Sequence, residues 1–163
     1  MPLCRSSLAA LRHVIYGDPK RLYSFQLGED ALHKLSQMPL ASFLQISLTK
    51  MEKGGAAECE MKLDPARHGN PNGTVQGGSL STLADITTSF AVVALGAETC
   101  TVSGKLDMLR GKTPEGTLKC RSEVVKAGGT LVWTDLWIRD ERGSLIAKGE
   151  YLNFRLSVPT PES

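Results

Sequence analysis

The sequence predicts an α+β domain in which an antiparallel sheet curls around one long helix. Two alternating runs of strand length come first, and a single long helical segment from Gly77 to about Leu95 follows them. Four further runs of strand length, joined by tight glycine-containing connections, complete the pattern up to residue 156. Strands grouped before and after one helix are typical of the α+β class.

The chain begins with a segment that precedes the predicted sheet. Residues 1–17 contain arginine and serine but no acidic residue, which resembles a mitochondrial presequence. The alternative is a short amphipathic helix or a disordered leader on a cytosolic protein. Gly28 to Asp30 can open a short helix, and Pro39 is expected to end it. The predicted organisation is an N-terminal extension over residues 1–40, a folded domain over 41–157 and a disordered tail over 158–163.

Period-two alternation predicts the strands. Residues 44–49 and 58–63 alternate between apolar and polar side chains around a Gly54-Gly55 turn, so they are expected to form a hairpin. The later strands are predicted over residues 100–109, 117–126, 130–139 and 145–156. The third of these carries Trp133 and Trp137 on one face, which favours a central strand buried on both sides, in the core or an oligomer interface.

The long helix holds Asp85, the one charged residue between Gly69 and Ala97. Burying a carboxylate in so apolar a helix is costly, so Asp85 is expected to have access to solvent or a chemical role. The helix also begins at Gly77-Gly78, where unpaired backbone N–H groups can bind an oxyanion. A carboxylate and an oxyanion-binding site on one helix are together suited to acyl-transfer chemistry. The alternatives are a solvated Asp85 on the polar side of the helix and glycines that serve only close packing.

Composition argues against several other functions. A net charge of +2 without a basic block gives little support to nucleic-acid binding. The four cysteines form no Cys-x-x-Cys pair and the three histidines lack ligand spacing. We therefore predict no metal site and expect reduced core thiols. The stretch 69–97 is too rich in Gly, Pro, Asn, Ser and Thr to be a transmembrane helix.

The segment from Asn70 to Asp85 reads Asn-x-x-Gly-x-x-Gln-Gly-Gly-x6-Asp, and with the element order it resembles the hotdog-fold thioesterases. The resemblance is closest to the phenylacetate-pathway (PaaI) and thioesterase-superfamily-member-2-like branch, and it covers roughly residues 40–156. The run from Thr101 to Arg110 resembles the family's first strand after the helix. The resemblance implies an acyl-coenzyme A thioesterase that releases a free acid and coenzyme A. It implies no separate cofactor, since coenzyme A is part of the substrate.

The resemblance also implies roles for single residues. Asp85 would be the catalytic carboxylate, as general base on water or as nucleophile, and the Gly77 backbone N–H would polarise the thioester carbonyl. Asn70 would position the carbonyl or the water. Ser89 and Thr101 match positions that carry hydroxyls, and Thr101 would orient water across a subunit interface. Turn chemistry for Asn70 and ordinary packing for the two hydroxyls are the alternatives.

One position departs from the family pattern. Gln76 stands where the motif has histidine, and glutamine keeps both donor and acceptor capacity. With Gly78 it is assigned to substrate binding. If the change marks a lost activity, the chain would be a non-catalytic acyl-coenzyme A-binding or scaffold module. A hotdog hydratase would need an Asp–His pair, and no histidine follows His68.

Partners are also implied by the resemblance. Family sites lie between protomers, so a homodimer is expected, paired into a tetramer, and the expected setting is lipid metabolism. The location follows from residues 1–17 instead: the cytoplasm or the mitochondrion is expected, without a membrane span. The phosphates of coenzyme A need cations, although solvated strand ends would also explain each candidate. These candidates are Arg110, Lys112, Lys126 and Arg155.

Overall fold

The computed structural model describes residues 29–156, and it contains the predicted sheet and the predicted long helix. The helices are α1 (Glu29–Ser36), α2 (Pro39–Phe43), α3 (Pro65–His68) and α4 (Gly77–Val93). The strands are β1 (Ile46–Glu52), β2 (Ala56–Lys62), β3 (Thr99–Met108), β4 (Thr117–Ala127), β5 (Leu131–Asp140) and β6 (Leu145–Arg155). The predictions for residues 1–17 and for the tail lie outside the described residues.

All six strands form one antiparallel sheet in the order β1-β2-β4-β5-β6-β3. Helix α4 contacts every strand of this sheet. Its buried residues lie on most sides of the helix, as expected for a helix that is apolar over most of its circumference. The predicted architecture, a sheet wrapped around one central helix with a helical segment before it, is therefore confirmed.

The sheet is buried on the face that α4 covers. On β5, Val132 and Leu136 are buried, whereas Trp133 is 42% exposed and Trp137 is half-buried. The prediction that this strand is buried on both faces is therefore wrong for the single chain. Aromatic and β-branched content indicates a strand, but it does not say whether the second face is covered.

The first helix ends before Pro39, as predicted, but the second helix that begins at Pro39 was not predicted. Helix α1 ends at Ser36, and Pro39 opens α2 after an extended Met38. Proline suits the first helical position because its fixed φ is helical and its missing N–H would have had no partner there. The same rule explains α3, in a segment predicted as a loop. Pro65 begins it, and the Asp64 carboxylate accepts a hydrogen bond from Ala66 N–H at 2.9 Å.

Cys59 and Cys120 are opposite each other on β2 and β4 and are buried under α4. Burial raises the pKa of each thiol to about 12, against the smaller effect of a hydrogen bond with Thr87. Both cysteines are unbridged, as predicted for reduced core thiols. Neither is a reactive nucleophile in the folded chain, because the thiolate is the reactive form.

Gly104 on β3 lies directly against the ring of its cross-strand partner Tyr151 on β6. A Cβ at this position would overlap Cε1 of the Tyr151 ring. Tyr151 is only 7% exposed, so its ring has little room to move away. We expect Gly104→Ala to lower the free energy of unfolding by about 1–3 kcal/mol, measured by urea denaturation. Gly129→Ala is the control, since a Cβ there meets nothing within 4 Å. Equal losses in the two variants would show that the Tyr151 contact is not restrictive.

Among residues 29–156, no helix is both long enough and apolar enough to cross a membrane.

Candidate active site

Asp85 lies half-buried in the middle of α4, where β3 reaches it. The hydroxyl of Thr101, an exposed residue of β3, donates a hydrogen bond to Asp85 Oδ1 at 2.6 Å. A short hydrogen bond to a carboxylate is a strong one and restricts the side-chain rotamer. The two residues belong to the same chain, so the structure links Thr101 to Asp85 without a second subunit. The sequence predicted both residues but placed the action of Thr101 across a subunit interface.

Two residues of β6 approach the same group, and the sequence analysis missed both. Asn153 is fully buried, with its Oδ1 3.5 Å from Thr101 Oγ1. The pKa of Tyr151 is raised, first by burial and then by the negative charge of Asp85. The available signal was a polar Asn153 on the same, inward face as Tyr151, but pairing across 52 residues is needed to connect it to Thr101.

The N-terminus of α4 carries the predicted oxyanion donor. The helix begins at Gly77, and Gln76 at the N-cap makes no side-chain capping hydrogen bond. The first N–H groups of a helix have no partner within it, so they are suited to bind a negative charge. A Cβ at Gly77 would meet Met108 Cε at 2.9 Å, whereas a Cβ at Gly78 would meet nothing within 4 Å. Close packing therefore does not explain Gly78, and at Gly77 it involves only the flexible end of a methionine.

A cavity of about 300 Å³ lies at this end of the helix. Asn70, Gly77 and Met108 line it together with Arg110 and Lys112. The structure thus places two of the four predicted cations beside the predicted oxyanion donor. Lys112 Nζ also donates to Glu115 O at 2.7 Å and lies 3.3 Å from Glu141 Oε1.

The other two predicted cations lie elsewhere. Lys126 Nζ is 5.9 Å from the centre of the Trp133 ring, a distance at which a cation and an aromatic face attract each other. Arg155 ends β6 opposite Thr99, and its buried Nε has no hydrogen-bond partner among the described residues. Neither residue lines the cavity at the start of α4.

Asn70 organises the loop before the helix. Its Oδ1 accepts hydrogen bonds from the N–H groups of Asn72 at 2.9 Å and Thr74 at 3.1 Å. Its Nδ2 donates to Thr74 Oγ1 at 2.9 Å. Turn chemistry therefore accounts for these bonds. An amide nitrogen carries two hydrogens, so Asn70 Nδ2 keeps a second donor for a molecule in the cavity.

His68 supports the same loop. Its buried ring accepts from Asp64 N–H through Nδ1 at 2.9 Å, so the proton is on Nε2, which donates to Leu44 O at 3.0 Å. The backbone oxygen of His68 accepts from Gln76 N–H at 2.7 Å. The Gln76 side chain itself is exposed. Both ring nitrogens of His68 are thus used by the backbone, which leaves none to pair with Asp85 as a hydratase would require.

The predicted residues fall into two groups along α4. Gly77 and Asp85 are eight positions apart (85 minus 77), which corresponds to about 12 Å at the helical rise per residue. A reacting carbonyl has to lie about 3 Å from both the attacking group and the oxyanion donor. A single chain therefore does not bring Gly77 and Asp85 to the same carbonyl. Ser89 is half-buried one turn beyond Asp85, still farther from Gly77.

The fold is that of the hotdog thioesterases, as three solved structures show. The PaaI protein of the Escherichia coli phenylacetic acid degradation operon is similar with a TM-score of 0.71 at 22% identity, covering 77% of this chain and 89% of that one. Zebra fish thioesterase superfamily member 2 gives a TM-score of 0.68 at 23% identity, covering 78% and 94%. A hypothetical thioesterase protein of Streptococcus pneumoniae, solved with coenzyme A, gives a TM-score of 0.71 at 22% identity, covering 79% of this chain and 99% of that one. The resemblance predicted from the sequence is thus confirmed at the level of the fold.

The Streptococcus pneumoniae protein has also been solved with an aspartate and with a threonine replaced by alanine, at positions 16 residues apart. No protein-family model and no curated protein matches the present sequence.

Proposed function

We propose that the protein is an acyl-coenzyme A thioesterase that hydrolyses an acyl-coenzyme A to a free acid and coenzyme A. The hydrogen bond from Thr101 to Asp85 on the central helix of a hotdog fold carries this proposal. Asp85 and Thr101 are 16 residues apart, the separation of the aspartate and threonine replaced in the Streptococcus pneumoniae thioesterase. We propose the cytoplasm or the mitochondrion as the location and lipid metabolism as the setting.

The chemistry follows from the charges that develop. Asp85 takes a proton from water, or attacks the carbonyl carbon itself, so a new C–O bond forms and the carbonyl oxygen becomes negative. The Gly77 N–H binds that oxygen; in known enzymes one such donor is worth about 2.7–4 kcal/mol. Collapse of the intermediate breaks the C–S bond, and the coenzyme A sulfur leaves with the electron pair and takes up a proton. When water is the nucleophile, this step gives the free acid directly. When Asp85 is the nucleophile, it leaves an anhydride of Asp85 with the acyl group, and a water molecule then attacks that anhydride, releases the free acid and restores the carboxylate. A positioned carboxylate base adds about 10²–10⁴-fold in rate.

We further propose that a second copy of the chain completes the site. Asp85 and Gly77 of one chain are too far apart to act together, and β3 is an edge strand with an exposed central stretch. An unpaired edge favours pairing with another strand. Pairing of two β3 edges around a two-fold axis would place Gly77 of one protomer near Asp85 of the other. The exposed Trp133 on the outer face supports further association into a tetramer.

Mixing two inactive variants tests the shared site. We expect Asp85→Asn and Gly77→Pro to be inactive alone and to recover about a quarter of wild-type thiol release when refolded together in equal amounts. The reason is that half of the dimers are mixed, and each mixed dimer has one intact site of two. Native mass spectrometry is the check on whether mixed oligomers have formed. Mixed oligomers without recovery would show that the site is not shared.

Thiol release from a panel of short, long and aryl acyl-coenzyme A esters tests the activity itself. We expect turnover of at least one ester by the wild-type protein. The alternative, a binding or scaffold module, is supported by the exposed Gln76, whose side chain makes no capping bond. Binding of the esters without thiol release would favour that alternative, and release restored by Gln76→His would identify Gln76 as the cause.

A further inference from the structure

Asn153 is a buried polar residue whose side-chain amide is not fully hydrogen-bonded. It is opposite Thr101 in the register of β3 and β6, and none of it is exposed. Its Nδ2 is buried without a hydrogen-bond partner, and its Oδ1 lies 3.5 Å from Thr101 Oγ1. A buried amide donor without a partner is unfavourable and rare in native proteins.

The Thr101 hydroxyl cannot donate a hydrogen bond to Asn153 Oδ1 as well as to Asp85. It carries one hydrogen, and the 2.6 Å bond to the carboxylate of Asp85 uses it. Thr101 Oγ1 and Asn153 Oδ1 would then face each other as two acceptors. Rotating the carboxamide by half a turn exchanges its nitrogen and oxygen without changing its shape. Nδ2 then lies about 3.5 Å from Thr101 Oγ1 and points at its lone pairs. The buried atom without a partner becomes the amide oxygen, and an unpaired C=O is less rare in native proteins than an unpaired N–H.

We infer that Asn153 is a positioning residue that acts through Thr101. Its amide donates to Thr101 Oγ1, and the single hydrogen of Thr101 is thereby directed to Asp85 Oδ1. Successive hydrogen bonds of this kind polarise one another, so the carboxylate is held more firmly than by Thr101 alone. The effect on hydrolysis rests on the proposed thioesterase function, whereas the hydrogen bond between Asn153 and Thr101 does not.

A double-mutant cycle tests the effect on hydrolysis. We expect Asn153→Leu to lower kcat about tenfold with little change in KM, at the low end of what a supporting hydrogen-bond partner contributes at metal sites. In a Thr101→Val background the same change should cost nothing more, because the path to Asp85 is already broken. Independent, multiplicative losses would overturn the inference. Ser122→Ala is the control, since it removes an equally buried polar group on β4 that donates only to Asp135 O.

Asn153→Asp gives a second test that keeps the side-chain shape. The new carboxyl group can donate to Thr101 only while it is protonated. We therefore expect the activity of Asn153→Asp, relative to wild type, to fall as the pH rises. A ratio that is independent of pH would contradict the proposed donor. This variant also decides the question if Asn153→Leu does not fold.

An NMR measurement separates this inference from the proposed function. The side-chain amide of Asn153 is expected to give a slowly exchanging ¹⁵N–¹H signal that shifts in Thr101→Val but not in Thr49→Val, a strand threonine bound to Glu58 O. A signal unmoved in Thr101→Val would overturn the inference. Failure to hydrolyse any ester, with the amide shift observed, would overturn the proposed function and leave the hydrogen bond established.

Discussion

Asp85→Asn is expected to lower kcat for thioester hydrolysis by about 10²-fold or more. Asparagine has nearly the same shape, and its Oδ1 can still accept the Thr101 hydrogen bond, which is 2.6 Å long in the native chain. It is neither a useful base nor a nucleophile, so the chemical step loses the group that acts on water or on the carbonyl. The measurement is steady-state thiol release from an ester that the wild-type protein turns over.

The matched control is Asp135→Asn, which neutralises a half-buried carboxylate on β5 away from Thr101. We expect it to keep wild-type kcat. Urea denaturation of both variants shows whether the native state is retained. Wild-type kcat in a folded Asp85→Asn would remove Asp85 from the mechanism, whatever its hydrogen bonds.

Gly77→Pro is expected to lower kcat by about 10²–10³-fold, the effect of removing one oxyanion donor in other enzymes. Proline has no N–H, and it is well tolerated at the first position of a helix. Gln76, the residue before it, has ψ 131° and is already extended, as a residue before proline prefers. The substitution therefore removes the donor with little change to the fold. Thiol release at saturating substrate measures the effect.

Gly77→Ala is the control for this substitution. It adds the same Cβ against Met108 Cε, 2.9 Å away in the native chain, but it keeps the backbone N–H. We expect Gly77→Ala to retain most of the kcat, because the methionine side chain is flexible and can move aside. Equal losses in Gly77→Pro and Gly77→Ala would show that the space beside Met108, and not the N–H group, is what matters.

Local patterns were sufficient to predict most of the fold. The helix predicted from Gly77 is observed to Val93, and the strand predicted over residues 130–139 is observed over Leu131–Asp140. Both have a periodic apolar pattern bounded by glycine, a signal that belongs to the segment itself. The start of α2 at Pro39 was missed because proline is as compatible with the first turn of a helix as with the end of another.

The candidate site could be predicted only in part, for a related reason. Asp85 and Gly77 are visible in the sequence because one helix carries both, in a segment otherwise without charge. Asn153 and Tyr151 become part of the site only through the pairing of β3 with β6, and the register of that pairing is set by the whole sheet. Residues joined by such long-range pairing have no common local pattern. The predicted domain boundaries stay a prediction.

The opposed thiols of Cys59 and Cys120 can report local opening of the sheet between β2 and β4. Because burial and a raised pKa protect both, a thiol reagent labels them only when β2 and β4 separate from each other and from α4. The rate of labelling therefore reports how often the contact between β2, β4 and α4 opens. Asp85 and Thr101 lie at the β3 edge, three strands away from β4 in the sheet order. Comparing the labelling rate during turnover with the rate in the absence of substrate would show whether β2 and β4 separate independently of catalysis.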